Sequence, residues 1–430
     1  MQAFPLGNKT KYFLTSLAFG TFLVVVGSAL FFFFEYSKQQ QILSASEKQH
    51  IKTIGTVICQ EAGLIVTDLQ NLSKHEPLQE FATSNREASR GAVINGFSSF
   101  IRHNNKYDQV RFIGSDGKEL VRINKGPDRP LVVPKEQLQD KSERYYFKEA
   151  MPLSQGKIYV SPLDLNIENK KVEIPFKPML RVAAPFYDAR KTLRGILVLN
   201  YLGKRLLDRL NMEAADISPV ELLNSKGYWL KSKQPDQEWA FMVPESEQMT
   251  FAHKFPREWA TIYSGRSEGQ LKTDNGLFTF AAVTPFNELS GKIGEYSRHH
   301  WYLVSQVQKA DLVDMQKSLL KQIVTIDILI LLLLAPVCSL YAGYKQKSIK
   351  QIVLETANTE LLLALEEIKT LRGTLPICAS CKSIRDDEGY WSSIEKYICE
   401  HSDADLSHGL CPACMDRMYS GESWYETKKA

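Results

Sequence analysis

Most of this chain alternates polar and apolar residues over short distances, but two stretches do not. Tyr12 to Phe34 is a run of 23 residues without a charge, ending in four phenylalanines. A helix needs about 20 residues to cross about 30 Å of hydrocarbon, so this run predicts a membrane span. It is longer than the apolar core of a signal peptide, and Gly27-Ser28-Ala29 leads into further apolar residues, so an uncleaved anchor is expected. Gln322 to Tyr344 is the second run, with Asp327 its only charge. Asp327 lies near one end, where a carboxylate reaches the interface, and Pro336 removes one intrahelical hydrogen bond, which allows a kink.

Between the runs the periodicity changes. Ser37 to about Arg102 is polar and helix-compatible, with Pro only at Pro77. This predicts a helix that emerges from the membrane and packs an apolar stripe on the strands after it. Gln109 to Ile113 alternates, Ser115-Asp116-Gly117-Lys118 has hairpin-turn composition, and Glu119 to Ile123 returns as a strand. The pattern recurs at Glu221 to Asn224, a turn at Ser225 to Gly227, and Tyr228 to Leu230. Later strands come after each hairpin: Leu180 to Tyr187 and Gly195 to Tyr201 after the first, Leu277 to Val283 and Trp301 to Val307 after the second. An α+β fold with two similar antiparallel sheets in tandem is predicted.

Composition narrows the class. The 430 residues are 44% apolar and 24% charged, which is globular. A mean hydropathy of −0.24 excludes a polytopic transporter. With 53 basic and 49 acidic residues, the net charge of +4 gives no electrostatic case for nucleic-acid binding. Lys9 and Lys11 precede the first span, Lys345, Lys347 and Lys350 follow the second, and the other two flanks mix signs. The positive-inside rule therefore puts both termini in the cytoplasm and residues 35–321 outside. Of seven cysteines, Cys59 is in the outside segment, Cys338 is in a span, and five crowd the C-terminal tail. Clustered cysteines in a reducing compartment point to metal or redox chemistry.

A long helix followed twice by turn-linked strands, bracketed by two spans, resembles the double Cache sensor domains of bacterial receptors and sensor kinases. The segments that carry the likeness are VRFIGSDGKELVRIN (110–124), RYYFKEAM (144–151), YVSPLDLNIENKKVEIPFKPMLRVAAPFYD (159–188), GILVLNYLG (195–203) and LLNSKGYWL (222–230). The resemblance implies two tandem PAS-like sheets, a distal module at about 105–203 and a proximal one at about 215–308. It also implies a bacterial inner-membrane location and a small-molecule pocket in the distal module. Amino-acid-binding members carry an Arg-x-Trp-Tyr run and a later Asp; the matching positions here are Arg144, Tyr146, Phe147 and Asp188. On chemistry alone, Arg144 could clamp a carboxylate, Tyr146 could form an aromatic wall with a polar tip, and Asp188 could hold an ammonium. The bland alternatives are a sheet-edge ion pair at Arg144, core aromatics at 145–147 and a turn-capping Asp188. Tyr159 and Arg181 rank after these four. No phosphate loop or H-E-x-x-H is present, and His299-His300 reads as surface or loop, so a binding module is expected rather than an enzyme.

After the second span, 345–372 lacks Pro and is rich in Leu, Glu, Lys and Ala. Leu354, Leu361, Ile368 and Leu375 fall at heptad spacing, with Asn358 at an a position, which predicts a parallel coiled-coil connector and a homodimer. Cys378-Ala379-Ser380-Cys381 and Cys411-Pro412-Ala413-Cys414 then form two C-x2-C hooks 29 residues apart. Four thiolates at this spacing predict a structural Zn2+ in a small zinc-ribbon-like module, with iron the next candidate metal. Cys399, His401 or His408 is an alternative ligand, and Cys399 otherwise reads as a buried apolar residue of a short helix. The stretch LPICASCKSIRDDEGYWSSIEKYICEHSDADLSHGLCPAC (375–414) resembles a small cysteine-rich module at the ends of two-component signalling proteins. The segment after Arg372 is too short for a kinase, cyclase or receiver domain. The expected output is therefore an unidentified cytoplasmic partner, with a degenerate sensor-kinase relative or a membrane-tethered redox or metal sensor as alternatives.

Overall fold

The computed structural model describes residues 8–84, 86–168, 171–212, 218–286, 299–367 and 374–426. The chain divides into two compact units, Val26–Asp327 and Met1–Val25 with Ile328–Ala430. Helix α1 (Asn8–Ser73) passes unbroken from the first apolar run into the sensor region. Its stripe Ile51, Ile54, Ile58, Ala62, Ile65, Val66, Leu69 and Leu72 follows three- and four-residue spacing and is buried. Fully burying one such aliphatic side chain is worth about 1.5–3 kcal/mol, so this stripe is a main source of stability. The single helix expected to reach Arg102 is three: α1, α2 (Glu76–Ser84) and α3 (Glu87–His103). The last buries Val93, Phe97 and Ile101 at four-residue spacing.

Strands β1 (Tyr107–Gly114) and β2 (Glu119–Asn124) form the first predicted hairpin, and β3 (Leu131–Val132) pairs with β2. The short helix α4 (Tyr145–Ala150) comes next, then β4 (Tyr159–Val160), β5 (Asp164–Leu165) and the small hairpin β6 (Ile167–Glu168) and β7 (Lys171–Val172). The long strands β8 (Pro178–Tyr187) and β9 (Leu193–Leu202) complete a seven-stranded antiparallel sheet ordered β3-β2-β1-β9-β8-β4, with β5 also on β8. Helix α5 (Gly203–Met212) leads to the second sheet. That sheet holds β10 (Val220–Asn224), β11 (Trp229–Lys231), β12 (Glu268–Thr273), β13 (Gly276–Val283) and β14 (Trp301–Gln308), ordered β11-β10-β14-β13-β12. Between β11 and β12 lie α6 (Phe251–Lys254) and α7 (Pro256–Ile262). Both predicted sheets are present, and β12 is a strand that the pattern reading did not name.

Strand β14 runs directly into α8 (Lys309–Glu367), which continues through Pro336. The helices α1 and α8 are both long and apolar enough to cross a membrane. Asp327 is not simply an edge charge turned to the interface: Ser28 Oγ donates to its Oδ1 at 2.5 Å. In the connector, Leu354 and Leu361 are exposed. Ile368 and Arg372 lie outside the described residues, and Leu375 is in irregular backbone, so the helical seam does not include it. The tail has the hairpin β15 (Ile384–Arg385) and β16 (Trp391–Ser392), then α9 (Ile394–His401), α10 (Pro412–Tyr419) and α11 (Ser423–Glu426). Cys399 is exposed rather than buried, and among the described tail residues the buried apolar side chains are Ile384 and Tyr397.

Gly195, at φ 147°, lies where β9 crosses β1, and an added Cβ would come 2.0 Å from the Ile113 carbonyl oxygen. Gly195→Ala is expected to destabilise the chain by on the order of 3 kcal/mol. Gly91→Ala on α3, where an added Cβ meets nothing, should instead gain up to about 1 kcal/mol. Thermal melts of the two variants check this opposite pair of signs.

Candidate functional site

The two faces of the distal sheet differ in chemistry. Alternate residues Val110, Phe112, Val121, Leu197 and Leu199 join the core that holds α1. The opposite parity brings Gln109 and Arg111 of β1, Arg122 of β2, Arg181 of β8 and Asn200 of β9 to the outer face. In register, Arg111 stands opposite Arg122, and Asn200 opposite both Gln109 and Arg181. Two cations directly opposed across strands repel one another. Glu119 answers both from a distance, with Oε1 3.6 Å from Arg111 Nε and Oε2 3.8 Å from Arg122 Nη1.

This face is covered by protein, not water. Arg111 is 6% exposed, Arg181 3% and Asn200 1%. Arg111 donates from Nη1 to the Tyr146 hydroxyl at 2.9 Å and from Nη2 to Gln109, whose Oε1 also accepts from Asn200 Nδ2 at 3.1 Å. Arg181 donates to Asp164 Oδ1 at 2.6 Å, the Tyr145 hydroxyl at 3.1 Å and Asn166 Oδ1 at 3.2 Å. Buried polar atoms normally find partners. Among the described residues seven side-chain atoms do not, and four of them are Arg111 Nε, Glu119 Oε1, Arg144 Nε and Asn200 Oδ1. Their concentration here sets this face apart from the rest of the sensor region.

Arg144 immediately precedes α4, and its guanidinium lies 5.9 Å from the Tyr146 ring centre. Tyr146 is buried against Arg111, and Phe147 packs in a small core with Ile113, Ala150, Ala183 and Val198. Arg144 and Tyr146 are therefore brought together at the face, with Phe147 behind them. Asp188 sits in the β8–β9 turn with its four acceptor positions used. Oδ1 accepts from the N–H groups of Arg190 and Thr192, both at 2.9 Å, and Oδ2 is 2.8 Å from both Nε and Nη2 of Arg194. The Thr192 N–H and Arg194 hold this carboxyl below its usual range. That is turn-capping geometry. Tyr159 and Arg181 both reach the cluster around Asp164.

Sequence reasoning missed Arg111, Glu119, Arg122, Lys141 and Asn200. Burial, with Arg111 nearby, pushes the Lys141 ammonium down to about 8. Burial also raises Asp164, against the pull of Arg181, and lifts Tyr145 to about 12. The corresponding face of the proximal sheet is filled with side chains: Trp229, Phe251, Phe278 and Phe280 are buried there, with Phe255, Trp259 and Tyr302 packed on them. Where the modules meet is a cleft of about 480 Å³ lined by Pro162, Leu163, Lys226, Tyr228, His299 and Trp301 among others. His299 lies in irregular backbone, as expected, but is half-buried: its Nε2 donates to the Val160 carbonyl at 2.9 Å, and burial lowers its pKa.

In the tail, Cys378 and Cys381 flank a turn in which the Lys382 N–H bonds to the Cys378 carbonyl at 3.0 Å, and Cys411 caps α10 with Cys414 one turn on. Cys381 Sγ lies 3.4 Å from Ser383 Oγ, a contact that brings its thiol down to about 7. The donor chemistry of each hook suits a soft ion. Among the described residues, however, no three His, Cys, Asp or Glu side chains are grouped for a metal, so the hooks stand as two pairs.

Residues 62–292 match the family described as bacterial histidine kinase, sensor domain. No curated protein matches the sequence. The structure is similar to a domain assigned to a sensory box/GGDEF family protein from Vibrio parahaemolyticus, with a TM-score of 0.55 and 23% identity over 64% of this chain and 98% of that one. It is also similar to the extracellular domain assigned to the histidine kinase vpHK1S-Z8, with a TM-score of 0.56 and 22% identity over 65% and 96%. A more distant likeness, TM-score 0.42 at 12% identity over 63% and 92%, is to the ligand-binding domain of the Campylobacter jejuni chemoreceptor Tlp3 in complex with L-norvaline. The first two likenesses show the fold, two antiparallel sheets on a long helix.

Lys141 gives a pH test of the crowded cations. Below about pH 8 the folded chain must keep Lys141 charged against burial, whereas the unfolded chain holds its proton up to about 10.5. Between these values the unfolded state binds more protons, so this residue's contribution to stability rises with pH across that window. Lys141→Met is therefore expected to raise the melting temperature at pH 7 and to lose most of that gain by pH 10. An equal gain at both would count against the crowding.

Proposed function

The chain belongs to the bacterial histidine kinase sensor-domain family, and from that premise we propose that it is a two-span inner-membrane receptor that binds a small molecule on the outer face of its distal module. Both termini lie in the cytoplasm. The observation that carries the reading is the crowding of buried cations on that face around two unpartnered polar atoms, Arg144 Nε and Asn200 Oδ1. The proximal face, filled by aromatic side chains, supplies structure rather than a second pocket.

The signal leaves through the proximal sheet. Tyr159 belongs to the ligand face, Val160 comes after it in β4, and His299 holds the Val160 carbonyl two residues before β14 begins. Since β14 continues directly into α8, a change in β4 reaches the second span through this one hydrogen bond and the strand behind it. The exposed Leu354 and Leu361 support a homodimer through the connector. Cys378, Cys381, Cys411 and Cys414 would hold one Zn2+ as a structural ion. Two buried apolar side chains are too few to fold such a tail without a staple, which supports this assignment. The tail then acts on a cytoplasmic signalling partner.

A thermal-shift screen of the full chain in lipid nanodiscs tests the receptor reading. A ligand at 100 times its Kd adds about 2.7 kcal/mol, a shift of a few degrees. In His299→Ala, ligand affinity is expected to stay within about twofold while ligand-dependent hydrogen-exchange protection along 301–312 disappears. Protection that persists in that variant would show another route. For the tail, the purified chain should carry about one zinc per chain, and Cys411→Ser with Cys414→Ser should remove it. Metal lost reversibly under mild oxidant would favour a redox sensor instead.

A further inference from the structure

We infer that the ligand of the distal outer face is a small carboxylate that carries no ammonium group, and that a hydroxy acid fits it best. The inference deepens the receptor reading above and rests on it.

Charge decides first. Five cationic side chains interact around this face: Arg111, Arg122 and Arg181 from the sheet, Lys141 and Arg144 from the segment before α4. They meet two carboxylates, and both are taken. Asp164 is bonded to Arg181 and accepts from the Tyr145 hydroxyl at 3.1 Å, and Glu119 lies between Arg111 and Arg122. The position that would hold an ammonium by resemblance, Asp188, is closed by its own turn and by Arg194. An ammonium entering the site would face like charges, with Asp164 and Glu119 already engaged. A carboxylate would relieve the excess, and guanidinium donors match its two oxygens in plane.

The unpartnered atoms sort the ligand further. Arg111 Nε and Glu119 Oε1 face one another at 3.6 Å, which leaves two atoms for a ligand. Arg144 Nε is a donor in need of an acceptor, which a carboxylate provides, and Asn200 Oδ1 is an acceptor in need of a donor. A hydroxyl meets that need without adding positive charge, and a buried acceptor left unmet is costly. One small molecule with a carboxylate and a hydroxyl on adjacent carbons satisfies both kinds.

Two matched series test this by isothermal titration on the full chain in nanodiscs: propionate, lactate and alanine, then succinate, malate and aspartate. Within each series the members differ at one carbon by hydrogen, hydroxyl or ammonium. In at least one series the hydroxy acid is expected to bind about tenfold or more tighter than the amino acid. Arg144→Gln should weaken that binding by about tenfold. Arg111→Gln should do the same where it folds, and the half-buried Arg144 keeps the test valid where it does not. Tightest binding by the amino acid would overturn the inference and leave the receptor reading standing. So would binding of inorganic phosphate, an amine or a nucleobase with neither series bound. A chain that binds no ligand of any class would overturn the receptor reading itself.

Discussion

Everything in the sensor region is built on one face of α1. The same helix that leaves the membrane buries its apolar stripe under both sheets and ties them with polar contacts: Glu47 accepts from Ser305 of β14, Glu61 from the Tyr201 hydroxyl of β9 at 3.1 Å, and Asp68 from the Tyr107 hydroxyl of β1 at 2.7 Å. Because these ties span both modules, neither sheet can turn about the helix without breaking a buried hydrogen bond, and each such loss costs on the order of 1–3 kcal/mol. The helix is thus a fixed rail. The short helix α4, by contrast, packs in a separate small core and not in the one that holds α1.

That constraint gives the two faces of the distal sheet different tasks. The inner face is apolar and bound to the rail, so it sets the register of β1, β8 and β9. The outer face can then carry groups that oppose folding, since opposed guanidiniums and a desolvated ammonium gain nothing from the sheet they sit on. Protein interiors keep such arrangements where a ligand completes them. The proximal module is the control within the same chain: its corresponding face packs Trp229, Phe251 and Phe278 edge to face and leaves Trp229 Nε1 as its orphan. Two sheets of one kind thus carry a polar, cation-rich face in one module and an aromatic-packed face in the other.

The architecture was legible in the sequence because it depends on periodicity. Uncharged runs marked the spans, period-two alternation with Gly-containing turns marked both hairpins, and the observed strands match those stretches to within one or two residues at each end. The site was only half legible. Arg144 and Tyr146 were found through a motif, while Arg111 was hidden by the same alternation that revealed its strand: in Gln109-Val110-Arg111-Phe112 a polar residue at every second position reads as solvent-facing. That face is instead covered by α4, an element too short to leave a pattern. The signal to look for was Arg111 and Arg122 equidistant from the Asp116-Gly117 turn, which predicts two cations directly opposed. Asp188 shows the converse case, in which the geometry is that of the turn-capping alternative. A matching residue type was present, but Thr192 and Arg194, a few residues further along the same turn, had already claimed it.

The tail obeys a different balance. Its described residues bury Ile384 and Tyr397, and fixing the backbone of one residue costs roughly 1–2 kcal/mol, so apolar burial cannot by itself hold about fifty residues in place. Each hook is locally well formed, since Cys378 and Cys411 both have carbonyls bonded to the N–H groups of their own turns. What is missing is the force that joins hook to hook across the 29 intervening residues. A thiolate-bound ion would supply that force, because ligands preformed in pairs halve the ordering that binding must impose. The tail's fold would then depend on something bound to it, whereas α1 and the sheets it carries stand on their own apolar packing and hydrogen bonds.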